Sequence, residues 1–486
     1  MTVTPRKRYP AALGAVALAL LMSGCAVGPD YVRPELATNS PDAFVAAVVP
    51  VDSTAIGHHW WEAMGDAQLN DLVDQALQRN LNLVQATAAV MEARATLGGA
   101  QSDRWPTVSA GTSASRSQSN MVMPGATTTM LRSNLDASLT ASYEVDLWGR
   151  LSRAEESARA TLLAGEANRR VVVQTLVSDV VRTWLQVKEL QCQLGLAERT
   201  VNSYSSTLQT VEDRYAGGVS SALDVRLARQ NLLSAEASVP ESRRLLRVAV
   251  RRLEILAGRY PGATVMPADA AAVMVATMPE PLPAVPVGLP SSLLERRPDL
   301  VQAEANLHAS VANIGQAKAR LYPTLSLTGS AGYNSGELDS WFDGDHDVWS
   351  LVGNLVMPLI NRGATKAQIR AAEARAQQSL AGYQLAVLSA FSEVESALDA
   401  EVLQARREEA LTRTVNESRL SLELAERRYT SGLDPLLTTL EAQRRLFTTE
   451  SQLLSTQQAR RTARVNLILA LGGHWDTALT VEGDTP

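Results

Sequence analysis

Leu83-Val84-Gln85-Ala86 recurs 217 residues later as Leu300-Val301-Gln302-Ala303, and Trp105-Pro106-Thr107-Val108-Ser109 recurs at the same offset as Tyr322-Pro323-Thr324-Leu325-Ser326. Arg214-Tyr215 returns as Arg428-Tyr429, Gly218 as Gly432 and Gly258 as Gly472, each 214 residues on. A nearly constant offset held across most of the chain marks an internal duplication, so one structural scheme must serve twice.

Each copy reads as helix, strand pair, very long helix, tight turn, helix. The first copy occupies 67–258, with its hairpin at about 107–147 and its turn at 215–220; the second occupies 290–472, with its hairpin at about 323–358 and its turn at 429–435. Ala76, Leu77, Leu83, Ala86, Val90 and Ala93 fall at helical spacing. Trp105-Pro106 ends that helix, because a residue before proline is pushed out of the α region. Residues 150–214 contain no proline and predict a helix of about 100 Å at 1.5 Å per residue; 363–428 repeat the pattern. Ala, Leu and Val supply most of the 45% hydrophobic content, and aromatics only 5%, which suits long, closely packed helices. Between the copies, 259–289 is rich in proline and predicts a linker without regular helix. Residues 26–60 read as extended and 473–486 as a tail.

The strand pairs are the more restrictive element. From Asn134 to Leu147 every odd position is apolar (Leu135, Ala137, Leu139, Ala141, Tyr143, Val145, Leu147) and every even one is polar. Residues 324–333 alternate likewise; 348–357 carry Trp349, Leu351, Leu355 and Met357 on one face and valines on the other; 107–118 are Ser- and Thr-rich. Alternation fits a half-buried sheet in a soluble domain as well as a membrane barrel. The lengths, the two widely separated hairpins and an export signal favour the barrel. Lipid leaves sheet edges unsatisfied, so membrane strands must close on themselves, and four are too few. Two pooled chains would give eight strands and a filled interior; three would give twelve and a lumen. Asp136, Glu144 and Asp146 on the polar face argue for a wet lumen, hence for three. Three chains also supply enough long and paired shorter helices to close a hollow helical cylinder.

Residues 1–24 read as a secretory signal: Arg6-Lys7-Arg8, then an apolar stretch from Ala11 to Met22, then Ser23-Gly24 before Cys25. The end resembles a bacterial lipobox, with Met22 where Leu is usual, and makes Cys25 the expected lipidation site and first mature residue. Residues 25–66 would form a lipidated, extended N-terminal segment. Removal of the signal takes the formal charge from −6 to −9, and nothing suggests a nucleic-acid partner. Cys25 and Cys192 are the two cysteines, too few for a disulfide framework or a zinc site. No nucleotide-binding loop or zinc-protease helix is present; His58-His59 read as a loop and His308 as a helix face, so no metal, no cofactor beyond the lipid on Cys25, and no enzymatic activity are expected.

Cys25-Ala26-Val27-Gly28-Pro29-Asp30-Tyr31, Pro34, Trp60-Trp61, the stretch from Tyr143 to Arg150, and Glu295-Arg296-Arg297-Pro298-Asp299-Leu300 resemble the lipoprotein outer-membrane factors of the NodT/OprM branch of the TolC superfamily. The resemblance spans about 25–475. It implies a mainly α protein with membrane β: a homotrimer whose four strands per chain make a twelve-stranded barrel, continuous with a twelve-helix periplasmic barrel. It implies an exit duct in the outer membrane of a Gram-negative bacterium, working with a periplasmic adaptor and an inner-membrane pump of the resistance-nodulation-division type. A type I protein-secretion duct shares this architecture and is the alternative; a poreless envelope spacer would need no alternating strands. The resemblance further implies a periplasmic gate at the turns, here Tyr215, Gly218 and Asp224, and Tyr429, Gly432 and Asp434. Asp224 reads either as a gate carboxylate repeated threefold or as a helix N-terminal acid, two compatible roles. The tyrosines read as gate residues or as packing beneath the turn. Asp434 stands where some relatives carry a basic residue, which puts an inter-helix salt-bridge lock at that turn in doubt.

Overall fold

A computed structural model describes residues 26–34, 44–45, 59–124, 126–266, 277–283, 296–341 and 344–473. Cys25, the signal, most of the linker and the C-terminal tail lie outside the described residues. In chain order come helices α1 (Ala67–Arg79) and α2 (Leu81–Ser102), strands β1 (Thr107–Met123) and β2 (Ala126–Val145), and helices α3 (Arg150–Ala216), α4 (Ala222–Leu256) and α5 (Pro298–Ala319). Strands β3 (Thr324–Ser335) and β4 (Asp347–Val356) and helices α6 (Arg362–Thr430) and α7 (Leu436–Ala470) follow. α3 has 67 residues and α6 has 69, the two long helices that the proline-free runs predict. The chain forms two compact units, one from Met1–Glu35, Ala89–Glu166 and Gln302–Gln384, the other from Leu36–Ala88, Ala167–Val301 and Leu385–Pro486.

The first unit is organised by one antiparallel sheet in the order β1-β2-β3-β4. Its register sorts side chains into unlike faces. Ser109, Thr140, Ser330 and Ser350 align across the four strands, and the adjacent row is Ala110, Leu139, Ala331 and Trp349. Because side chains alternate along a strand, these rows point to opposite sides. Trp349, Leu351, Leu355 and Leu139 are exposed, an apolar surface with no partner among the described residues. Such a surface marks a membrane or a protein contact.

Two features differ from the alternation pattern. β2 begins at Ala126 rather than near 134, because β1 continues to pair with it from Ser115↔Asn134 out to Met123↔Ala126, past the last β3 pair at Leu135↔Ser335. Backbone pairing, not apolar alternation, holds this overhang. At the other end β2 stops at Val145, so Asp146 and Leu147 are not strand residues.

The segment after the expected lipidation site is held in this unit by specific contacts. Val27 N–H donates to the Trp148 carbonyl at 3.1 Å, and Asp30 pairs with buried Arg153 at 2.6 Å. The Tyr31 ring stacks on His308 at 4.5 Å, while Tyr31 Oη and Arg33 both donate to Glu304. Trp148 stacks on Tyr322 at 4.7 Å and donates through Nε1 to the Pro323 carbonyl.

In the second unit the duplication is visible as matched contacts. Asn80 Nδ2 donates to the Leu256 carbonyl at 2.9 Å, and Arg297 Nη1 donates to the Ala470 carbonyl at 3.1 Å. Both satisfy the C-terminal end of a short helix, which otherwise leaves its last carbonyls unpaired. Gly258 (φ 69°) and Gly472 (φ 86°) follow those ends; a Cβ on Gly258 would lie 2.7 Å from Arg79 Cβ, so glycine is required there twice over. The core gathers Trp61, Leu69, Leu72, Val180, Trp184 and Leu253. Arg–Glu pairs cross the seams within each copy: Glu212–Arg229 at 2.5 Å between α3 and α4, Arg419–Glu450 at 2.9 Å and Arg460–Glu408 at 3.0 Å between α6 and α7. Between the copies, α3 meets α7 through amides and hydroxyls: Gln443 donates to Ser203 Oγ and Thr207 Oγ1, and Ser451 Oγ donates to Gln193 Oε1.

Candidate functional site

The two turns expected to form the gate share one backbone design. Gly218 N–H reaches the Tyr215 carbonyl and Val219 N–H the Arg214 carbonyl, both at 2.9 Å; Gly432 and Leu433 do the same with Tyr429 and Arg428. Gly218 and Gly432 sit at φ 75° and 74°, the left-handed conformation that ends a helix with little strain only at glycine.

Their side chains diverge. In the first turn Ser221 and Asp224 form a capping box: Ser221 Oγ accepts from Asp224 N–H, and the Asp224 carboxylate accepts from Ser221 N–H at 2.9 Å. Asp224 therefore performs the helix-terminal role in this chain. Its equivalent helix in the second copy opens on Pro435 with no side-chain cap. There Asp434 instead takes a bidentate ion pair from Arg428, at 2.7 and 2.8 Å. The Arg428 guanidinium holds the Asp434 carboxyl below the usual carboxylate range. A salt bridge thus closes the second turn, its base in the last turn of α6 and its acid six residues on.

The tyrosines are unlike. Tyr429 is 7% exposed and Tyr215 50%. Tyr429 belongs to a buried cluster with Tyr204, Val211, Ala228 and Leu436. Arg214 of the first copy lies over its ring, 4.9 Å from the centroid, and donates to the Thr430 carbonyl at 3.0 Å; Ser220 Oγ and Tyr429 Oη are 3.3 Å apart. Sequence reasoning singled out the tyrosines and missed Arg214, Ser220 and Arg428. The repeated Arg-Tyr dipeptide was the available signal.

The three carboxylates expected to line a lumen separate likewise. Asp136 lies mid-strand, opposite Ser113 and Asn334, with the Ser138 hydroxyl donating to it at 3.2 Å. Glu144 is also in β2, but Arg150 grips it with bonds of 2.8 and 2.7 Å. Asp146 corrects the sequence reading: it lies beyond the strand and accepts from Leu151 N–H, Ser152 N–H and Ser152 Oγ, serving as the cap of α3. The alternation ran through Leu147, but a carboxylate just before a helix N-terminus is drawn to its free N–H groups.

Among the described residues no three His, Cys, Asp or Glu side chains could hold a metal, and no helix is long and apolar enough to cross a membrane. His308 is engaged by Tyr31 and Glu156. A profile of the family described as outer membrane efflux protein matches residues 72–259 and 289–473, the two copies. The chain belongs to the outer membrane efflux protein family. It is similar to the outer membrane protein OprJ of Pseudomonas aeruginosa, 33% identical over 96% of this chain and 97% of that one. The solvent efflux pump outer membrane protein SrpC of Pseudomonas putida is 32% identical over 94% and 97% of the two chains, and the cation efflux system protein CusC of Escherichia coli 31% over 94% and 97%. The solved outer-membrane channel OprN superposes with a TM-score of 0.85 at 30% identity, covering 93% of this chain and all of that one. As a family member the protein is an outer-membrane exit duct for efflux in a Gram-negative bacterium. The expected fold, mainly helical with four strands per chain, is the fold of these channels.

Proposed function

We propose that the protein forms a homotrimeric, passive duct that carries small toxic compounds from a periplasmic adaptor and an inner-membrane pump of the resistance-nodulation-division type to the outside. The observation that carries this reading is the four-stranded sheet, with an apolar face, a hydroxyl-rich face and two edges, β1 and β4, that no described strand pairs with. Such a sheet is stable in lipid only when pooled with copies of itself. Three copies give twelve strands and a wet lumen; the pump supplies the energy, and the duct needs no cofactor and no reaction of its own. Lipid on Cys25 anchors the chain, and the contacts of residues 26–33 with α3, α5 and Trp148 tie that anchor to the end of β2. The names of OprJ, SrpC and CusC range over outer membrane, solvent and cation efflux, which supports small-molecule cargo over a secreted protein. The tip turns would close the periplasmic end.

The test is retention of dyes, biocides and antibiotics in cells lacking this protein and its paralogous ducts. Retention should rise on deletion and fall on complementation. Unchanged retention, with one protein missing from the spent medium, would favour the type I secretion reading.

A further inference from the structure

The register of the sheet fixes which charges a lumen would contain. On the hydroxyl face the paired rows are Ser109, Thr140, Ser330, Ser350 and, one step away from the β1–β2 turn, Ser142 and Thr328; toward that turn stands Asp136, between Ser113 and Asn334. Hydroxyls and amides imitate water and discriminate little between ions of either sign. Fixed charge does discriminate, since low-dielectric walls focus its field on the water they enclose. Glu144, the other acid of β2, is neutralised by Arg150 in a bidentate pair, and Asp146 lies beyond the strand, held at the N-terminus of α3. Asp136 has the Ser138 hydroxyl as its hydrogen-bond donor, a partner that leaves its charge intact. Arg132 shares this face but pairs with Ser117 on the overhang, beyond the last β3 pair at Leu135↔Ser335, outside the four-stranded part.

We infer that Asp136 sets the ion preference of the membrane-spanning part of the duct, favouring inorganic and organic cations over anions of similar size. This rests on the trimeric duct reading: threefold repetition turns one carboxylate per chain into a ring around the lumen. The ring acts through water, so its reach is the Debye length, about 10 Å at 0.1 M salt and about 3 Å at 1 M.

Reversal potentials across planar bilayers, under a potassium chloride gradient centred near 0.1 M, test this. Asp136→Asn should lower the potassium-to-chloride permeability ratio by at least about twofold, and Asp136→Glu should keep it at the wild-type value. The charge-neutral double variant Glu144→Gln/Arg150→Gln should leave it unchanged. The Asp136→Asn shift should persist in an Asp224→Asn background, which removes the Asp224 carboxylates of the tip, and should shrink near 1 M salt. A wild-type ratio in a conducting Asp136→Asn channel overturns the inference and leaves the duct standing. Absence of conductance from the wild-type protein sinks the duct reading and the inference with it.

Discussion

The first tip turn and the second have the same backbone and opposite habits. At Gly218 and Gly432 the hydrogen bonds and dihedral angles are nearly superimposable, as duplication requires. Yet Arg214 leaves its own turn to cover Tyr429 and bind the Thr430 carbonyl, while Arg428 stays in its turn and pairs with Asp434. The reason lies in the neighbour of each arginine. Where the second copy has Asp434, the first has Ser220, which offers no charge to hold Arg214 at home. The aromatic face and free carbonyl of the second turn take it instead. Asp434 thus makes the turns unequal. The first turn is the donor and the second the acceptor of a contact that joins the copies.

Substitution at Tyr429 should break this most severely. Tyr429→Ala removes a buried ring and the platform for Arg214, at about 3 kcal/mol, whereas Tyr215→Ala should lie within about 1 kcal/mol because half of that ring already meets solvent. Hydrogen exchange of the tip helices distinguishes the two, and equal protection in both variants would mean that the burial difference is not retained in the assembled protein. Loss of the cap is next: Ser221→Ala should loosen the start of α4 by about 1 kcal/mol, while Pro435→Ala, with no side-chain cap to lose, leaves the start of α7 nearly unchanged. Arg214→Ala should increase the open fraction of single channels more than Arg428→Ala, since only the former cuts a tie between copies; the reverse order would make the Arg428–Asp434 pair the true latch. The smallest effect concerns pH. The Asp434 carboxyl is held low by Arg428, so its stabilisation is present above the ordinary aspartate range and is lost only as pH falls through the depressed folded value. Tip protection, corrected for the intrinsic pH dependence of amide exchange, should therefore be flat from pH 7 to about 5, and Asp434→Asn should change it little because the pair is exposed.

A similar contrast separates what the sequence makes legible from what it hides. The long helices were legible because 150–214 and 363–428 lack proline, and the turns because glycine must supply a left-handed residue at 218 and 432. The apolar face of the sheet was legible in the odd positions from Leu135 to Val145. The outer half of β2, 126–133, was not, since its order comes from β1 rather than from its own pattern. Asp146 was misplaced for a related reason: periodicity reports what a strand would do with a residue, not what the next helix will do with it. Arg214 and Tyr429 are a tertiary pair 215 residues apart, and no local rule joins them.

The central claim is that this chain's four strands are one third of a barrel. Native mass measurement of the lipidated protein, extracted from outer membranes in mild detergent, tests it most directly. The account predicts a complex of three chains. A complex of two, or a single chain, would contradict it, because eight strands fill their own interior and four cannot close.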